Sequence, residues 1–174
     1  MHLPILQVSQ LITDRLLLRG FGPDDFERYA EMMADPDVSR HLMDGRPLTR
    51  DESVAAARDV RRTLGVAGIR SLGRRGARLR RVPRAHRVPE SRRFPAFEIA
   101  YTLGRWAWGK GYAREGAAAA LRYARETLGR TEITSIIRPA NAASIRVASS
   151  LGAVAGESVE FFGAPSVIYR YPRL

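Results

Sequence analysis

FEIAYTLGRWAWGKGYAREGAAAALRYARETLG, residues 97–129, decides how this chain is read. Phe97 to Leu103 alternate well enough for a β-strand, and the Ala-rich run after Gly111 predicts a helix ending near Gly129. Between strand and helix, Gly109 and Gly111 bracket Lys110. Glycines at such a junction let a ligand approach the backbone with no Cβ in the way. The free N–H groups of a helix's first turn attract anions. A diphosphate fits that arrangement, with Lys110 and Arg114 either adding positive charge beside it or standing as solvated surface residues.

Spacing discriminates among glycine loops. A dinucleotide fingerprint G-x-G-x-x-G/A needs a small residue where the chain has Arg114. The Walker pattern is met by Gly104, Gly109 and Lys110, but its last position is Gly111, which offers no hydroxyl to magnesium, and no Asp follows Asp59. A dinucleotide oxidoreductase and an NTPase are both disfavoured.

Outward from this core, the chain alternates short strands and helices. Leu11 to Arg19 reads as one strand. Gly22, Pro23 and Asp24 then open a helix whose Phe26, Tyr29, Ala30 and Met33 share a face, and Asp35 with Pro36 stops it. Thr49 and Glu52 form a capping box for a second helix towards Asp59. Glu132 to Ile137 is strand-like. Near the end, Glu157 to Phe162 and Ser166 to Tyr171 predict a hairpin turning at Gly163, Ala164 and Pro165. The aromatics Phe161, Phe162, Tyr169 and Tyr171 are expected in core and sheet faces, and Trp106 and Trp108 are expected to pack beneath the glycine loop.

The 174 residues, 45% of them hydrophobic, suit one domain, 1–174. Zero Cys excludes disulfides and thiolate sites, and His2, His41 and His86 stand alone, so no metal site is expected. No apolar run suits a membrane span and no signal segment is read, so the expected location is cytoplasmic.

The net charge of +11 is not spread evenly: residues 61–93 hold 12 Arg and one acid, Glu90, leaving 17 basic and 17 acidic residues elsewhere. This stretch lacks helical or strand periodicity and reads as foreign to its surroundings. A basic arm for nucleic acid and a solvated insertion are two readings of it. The preferred one is a shifted reading frame. Written back into GC-rich codons and read one base later, Gly65 to Arg78 can give AWLGYGRWAVEER, an amphipathic and nearly charge-balanced run that suits a β-hairpin. A chain lacking that hairpin would expose sheet edge and could be an inactive relic.

TDRLLLRGF (13–21), WGKGYAREGAAAAL (108–121) and PANAASIRVASSLGA (139–153) occur in an order that resembles the GNAT superfamily of N-acetyltransferases, and within it the ribosomal-protein-alanine-acetyltransferase branch. The likeness covers roughly residues 10–60 and 94–171. It implies an α/β fold with a mixed, mostly antiparallel sheet, helices on both faces, and parallel fourth and fifth strands that splay apart. It also implies acetyl transfer from acetyl-coenzyme A to a primary amine, by direct attack in a ternary complex. The acceptor stays open between a protein's terminal amine and a small molecule; a membrane partner is not expected, and nucleic acid is disfavoured.

The resemblance assigns roles by position. Backbone amides of Gly109, Lys110, Gly111, Tyr112, Ala113 and Arg114 would hold the pyrophosphate, and an N–H from Tyr101, Thr102 or Leu103 would face the oxyanion. Asn141 would bond the pantetheine or acetyl region, a helix N-cap being its other reading. Glu98 is the candidate base, directly or through water, or else a solvated strand-edge carboxylate. Relatives carry a proton-donating Tyr where this chain has Ala148, so Ser144 is the substitute candidate for protonating the thiolate, against a capping or packing serine.

Overall fold

A computed structural model describes residues 10–19, 23–61, 69–71, 81–82 and 97–173. The run expected as one strand is a hairpin, β1 (Leu11–Ile12) and β2 (Leu16–Leu18). Its turn is closed by Thr13: the Thr13 N–H donates to the Leu16 carbonyl at 2.9 Å, and the Leu16 N–H donates to Thr13 Oγ1 at 3.0 Å. A short hydroxyl side chain followed by Asp favours such a turn over continued strand.

Helix α1 (Phe26–Met33) buries Tyr29, Ala30 and Met33 on the predicted face, together with Met32. Pro36 does not merely end it. Asp35 accepts a hydrogen bond from the Asp37 N–H and caps a further short helix, α2 (Pro36–Ser39), whose first position suits proline. Helix α3 (Arg50–Arg61) opens on the predicted capping box, with the Thr49 N–H donating to Glu52 Oε2 at 2.8 Å and the Glu52 N–H donating to Thr49 Oγ1 at 3.3 Å. Tyr29, Met33, Val38, Leu48 and Ala57 close the core between these helices.

Two short strands, β3 (Ile69–Ser71) and β4 (Arg81–Val82), extend the first sheet in the order β1-β2-β3-β4, all antiparallel. They fall inside the Arg-rich stretch, where no strand periodicity was visible. A backbone ladder uses N–H and C=O groups and does not require alternating side chains. The rest of 62–93 lies outside the described residues, and the question of its reading frame lies there with it.

The second sheet has the order β5-β6-β8-β7. Strand β5 (Phe97–Glu98) runs parallel to β6 (Ile133–Ile137), while β6 pairs antiparallel with β8 (Ala164–Arg170), and β8 with β7 (Val154–Phe161). Helix α4 (Tyr112–Glu126) carries the chain from β5 to β6, and α5 (Ala142–Ser150) follows β6. This is the expected mixed, mostly antiparallel α/β architecture, with the parallel pair β5 and β6 on one side of the second sheet. The β7–β8 turn lies at Phe162 and Gly163, with φ of 49° and 67°, rather than at Gly163 to Pro165. Positive φ at both central positions is the two-residue hairpin geometry that matches strand twist.

Ile99, Leu121, Ile133, Ile137, Tyr169 and Tyr171 form the core of this second half, with Ala117, Ala124, Ala148 and Ala153 letting α4 and α5 approach the sheet. Leu16, Leu18, Leu103, Ala107 and Ala119 join the halves, tying β2 to α4.

Candidate active site

The parallel pair opens where the resemblance places its splay. The Phe97 N–H donates to the Glu132 carbonyl at 3.1 Å and the Ile99 N–H to the Thr134 carbonyl at 2.8 Å; β5 ends at Glu98 while β6 continues to Ile137. The opening is a cleft of about 110 Å³, mostly apolar in its walls. At its base buried Ser135 bridges the strands, its hydroxyl donating to the Ile99 carbonyl at 2.5 Å and lying 3.0 Å from Tyr171 Oη.

Glu98, Tyr101, Thr102, Asn141 and Ser144 all line this cleft, so the structure brings together five residues singled out from sequence. The Tyr101 hydroxyl donates to the Ser144 carbonyl at 2.9 Å. Burial raises the Tyr101 phenol well above its ordinary range, with a further push from Tyr171, which outweighs the opposing hydrogen bond to Ser144. Tyr101 is therefore a donor held in place and not a base. Tyr171 is also raised, chiefly by burial, and the negative charge of Glu98 adds to it.

Asn141 is the N-cap of α5: its Oδ1 accepts from the Ser144 N–H at 3.1 Å. That bond uses the oxygen and leaves the two amide hydrogens for a ligand, so the cap and the contact roles are compatible.

The opposite wall was not read from sequence. His41, Leu42 and Met43, in the loop after α2, line the cleft together with Arg138, Phe161 and Phe162. Arg138, the residue after β6, grips that loop, its guanidinium donating to the Met43 carbonyl and, at 3.4 Å, to the Arg40 carbonyl. The loop also bonds itself, with the Gly45 N–H on the Leu42 carbonyl at 2.7 Å, and its Met43 adopts φ of 42°. Phe161 and Phe162 meet edge to face at 4.7 Å, and Phe162 stays half exposed at the hairpin tip. In the sequence His41 stands alone with no partner at ligand spacing, and a backbone-directed Arg138 leaves no sequence signal.

Leu103 and residues 109–114 do not line the cleft; Leu103 lies between β5 and the glycine loop, and residues 109–114 lie at the start of α4. Leu103 is buried and its carbonyl accepts from Trp108 Nε1 at 2.7 Å. Trp106 and Trp108 are 40% and 46% exposed, so the expectation that they pack beneath the glycine loop is not met. Gly109 and Gly111 have φ of 71° and 74°, and Gly111 is the N-cap of α4 with no side-chain cap bond. A 15-residue helix thus presents its N-terminal amides uncapped by side chains. Lys110 and Arg114 are exposed, while Tyr112 and Ala113 pack against the joining core.

Arg15, at the β1–β2 turn, braces this loop. Its Nη1 donates to the Lys110 carbonyl at 2.8 Å, its Nε to Glu115 at 2.6 Å, and its guanidinium sits 4.9 Å from the Tyr112 ring centre. Among the described residues, no group of three or more His, Cys, Asp or Glu could hold a metal ion, and no helix is long and apolar enough to cross a membrane.

Residues 15–154 match the family described as the acetyltransferase (GNAT) domain. The chain belongs to that family. This GNAT chain is similar to the N-acetyltransferase p20 of Bacillus licheniformis, 28% identical over 149 residues that make up 83% of this chain and 82% of p20. It is 31% identical to the FsC-acetyl coenzyme A-N(2)-transacetylase of Aspergillus fumigatus over 82% of its own length and 63% of that enzyme's. It spans 42% of YkkB of Bacillus subtilis, at 36% identity over 72 residues, which are 41% of this chain. Among solved structures, an acetyltransferase of Agrobacterium tumefaciens superposes with a TM-score of 0.76 at 26% identity, covering 95% of each chain. The GNAT chain is an acetyltransferase.

Proposed function

We propose that this acetyltransferase moves the acetyl group of acetyl-coenzyme A onto a primary amine by direct attack within a ternary complex. One observation carries the reading: a long helix with no side-chain cap, entered through two glycines of positive φ, follows the strand that splays from β6. A pyrophosphate at those amides would direct the pantetheine arm towards the cleft. The name of the Aspergillus relative supports both donor and nitrogen acceptor, since it specifies acetyl coenzyme A and an N(2) position.

In this reading the amides of residues 109–114 hold the diphosphate and the Asn141 amide hydrogens meet the pantetheine. A backbone N–H between Tyr101 and Leu103 stabilises the oxyanion. Glu98, a carboxylate in the cleft lining, attracts the acceptor as an ammonium and serves as base, directly or through water; Ser144 returns a proton to the departing thiolate. The acceptor is a primary amine, either the N-terminal amine of a protein, as in the ribosomal-protein-alanine branch that three short stretches resemble, or a small molecule.

Thermal-shift titration with acetyl-coenzyme A tests the donor site. At a hundred times its dissociation constant the ligand stabilises a folded binder by about 2.7 kcal/mol, a readily visible rise in melting temperature. Thiol release with Ala- and Ser-led peptides, polyamines and arylalkylamines then tests the acceptor. A cooperative melt with no response to saturating acetyl-coenzyme A overturns the reading.

A further inference from the structure

His41 is a group in the cleft to which neither sequence nor family likeness assigned a role. It is partly buried, it lines the same space as Glu98, Asn141 and Ser144, and among the described residues neither ring nitrogen has a hydrogen-bond partner. Its nitrogens are not sealed from solvent, since Ser53 Oγ is the buried side-chain atom without a partner among the described residues, so the imidazole can exchange a proton with water or with a bound amine.

Its loop is anchored from two sides. Arg138 holds the carbonyls flanking it, those of Arg40 and Met43, to the end of β6. Arg105, in the segment leading to the glycine loop, donates to Asp37 of α2 at 2.8 Å. Both anchors belong to the half that carries the proposed donor site. They tie the backbone on either side of His41 to it.

We propose that His41 is a catalytic residue that takes the proton lost by the acceptor amine. This rests on the acetyl-transfer reading above. The neutral amine attacks the thioester carbonyl and a C–N bond forms. The nitrogen's proton passes to an imidazole nitrogen, the C–S bond breaks, and the thiolate leaves to be protonated by Ser144 or water. The imidazolium then gives its proton to solvent, so the products are the amide and free coenzyme A. Glu98 attracts the acceptor as an ammonium and takes its first proton, directly or through water, and the imidazole takes the second, released after the C–N bond forms.

The electrostatics suit a base. Burial, with the positive charges of Arg40 and Arg138, holds the imidazole below its ordinary 6.5, so it is neutral and able to accept a proton at pH 7. The opposing carboxylates nearby are engaged or displaced: Asp37 pairs with Arg40 and Arg105, and Asp44 pairs with Arg46 at 2.8 Å. From the facing strand Glu98 contributes negative charge to the cleft, and Tyr101 is held protonated.

The test is kcat/KM against pH for the wild-type chain and for His41→Gln. The amine is the best of the panel above. Melting temperature and the acetyl-coenzyme A shift are recorded for both to show that the variant is folded and loaded. The wild-type rate is expected to fall below pH 6.5 as the imidazole charges. His41→Gln should lose about a hundredfold in kcat with KM for acetyl-coenzyme A unchanged, and should lose that acidic limb while keeping the limb set by the amine itself. The histidine ring resonance absent from the variant's NMR spectrum should titrate below 6.5 in the wild type. A folded variant with the wild-type rate and profile overturns the role of His41 and leaves acetyl transfer standing; so does a variant slowed at all pH with its acidic limb intact. A wild-type chain that binds acetyl-coenzyme A but acetylates no amine overturns both.

Discussion

Arg15 and Glu115, 100 residues apart in the chain, are joined side chain to side chain, and the Arg15 N–H also donates to Glu115 at 3.0 Å. The pair ties the first hairpin to the first turn of α4, and the same guanidinium holds the Lys110 carbonyl. It therefore shapes the proposed anion site without being needed to touch the anion. Arg15→Ala is expected to weaken acetyl-coenzyme A binding about tenfold, the equivalent of one charge-assisted hydrogen bond at roughly 1.4 kcal/mol. Isothermal titration checks this, and an unchanged affinity would show the brace to be idle.

Gly109 and Gly111 separate backbone strain from steric effect. A Cβ at Gly109 meets nothing within 4 Å, whereas one at Gly111 stands 3.3 Å from Arg15 Nη2. Gly109→Ala should cost only the left-handed backbone, about 1 kcal/mol of stability. Gly111→Val should cost more and abolish the melting shift with acetyl-coenzyme A. If Gly109→Ala also removes that shift while the chain still melts cooperatively, the ligand itself occupies the open space over Gly109.

Acid should loosen the capping box before it unfolds the sheets. The Arg46 guanidinium, then the Thr49 N–H and hydroxyl, hold the Glu52 carboxyl down at about 2, against 4.5 for a free one. A folded-state value below the unfolded one means that the contribution is fully present above pH 4.5 and is lost as pH falls towards 2. Glu157 beside Arg170 sits in the same window, at about 2. Glu52→Gln with Glu157→Gln should flatten the fall in urea midpoint between pH 4.5 and 2. Because both groups are exposed, added salt should shrink the difference.

We propose that residues 61–93 arose by a shift of reading frame. DNA spanning these codons should contain an open alternative frame reachable by a single-base change, encoding a more nearly charge-balanced run. A chain with the restored segment should melt higher than the present one. If no such frame exists, the 12 Arg of this stretch belong to the protein as it stands.

Local chemistry made much of the fold legible. Thr49 and Glu52 announce α3 because a capping box needs only its own four residues, and Gly111 announces α4 because an L side chain is strained at its φ of 74°. The β7–β8 turn was misplaced because Phe162 adopts φ of 49°, a conformation that a bulky residue rarely takes and that only the flanking ladder enforces. Half of the site was legible in the same way: Glu98, Tyr101, Asn141 and Ser144 lie on or beside elements whose periodicity shows. The wall formed by His41, Met43 and Arg138 was not, because it depends on a guanidinium reaching carbonyls 95 and 98 residues away in the chain.

Every buried member of the core under the second sheet falls between Ile99 and Tyr171. That half draws its interior from one unbroken run of chain, and a lesion upstream of Phe97 removes none of those atoms. Among the described residues, Leu16 and Leu18 of the first half are buried in the seam against α4. If the donor binds as proposed, donor handling and acceptor choice are heritable on separate terms: mutation can rewrite the early helices and hairpin, even badly, while the proposed donor site at α4 is passed on whole and remains available for a new acceptor.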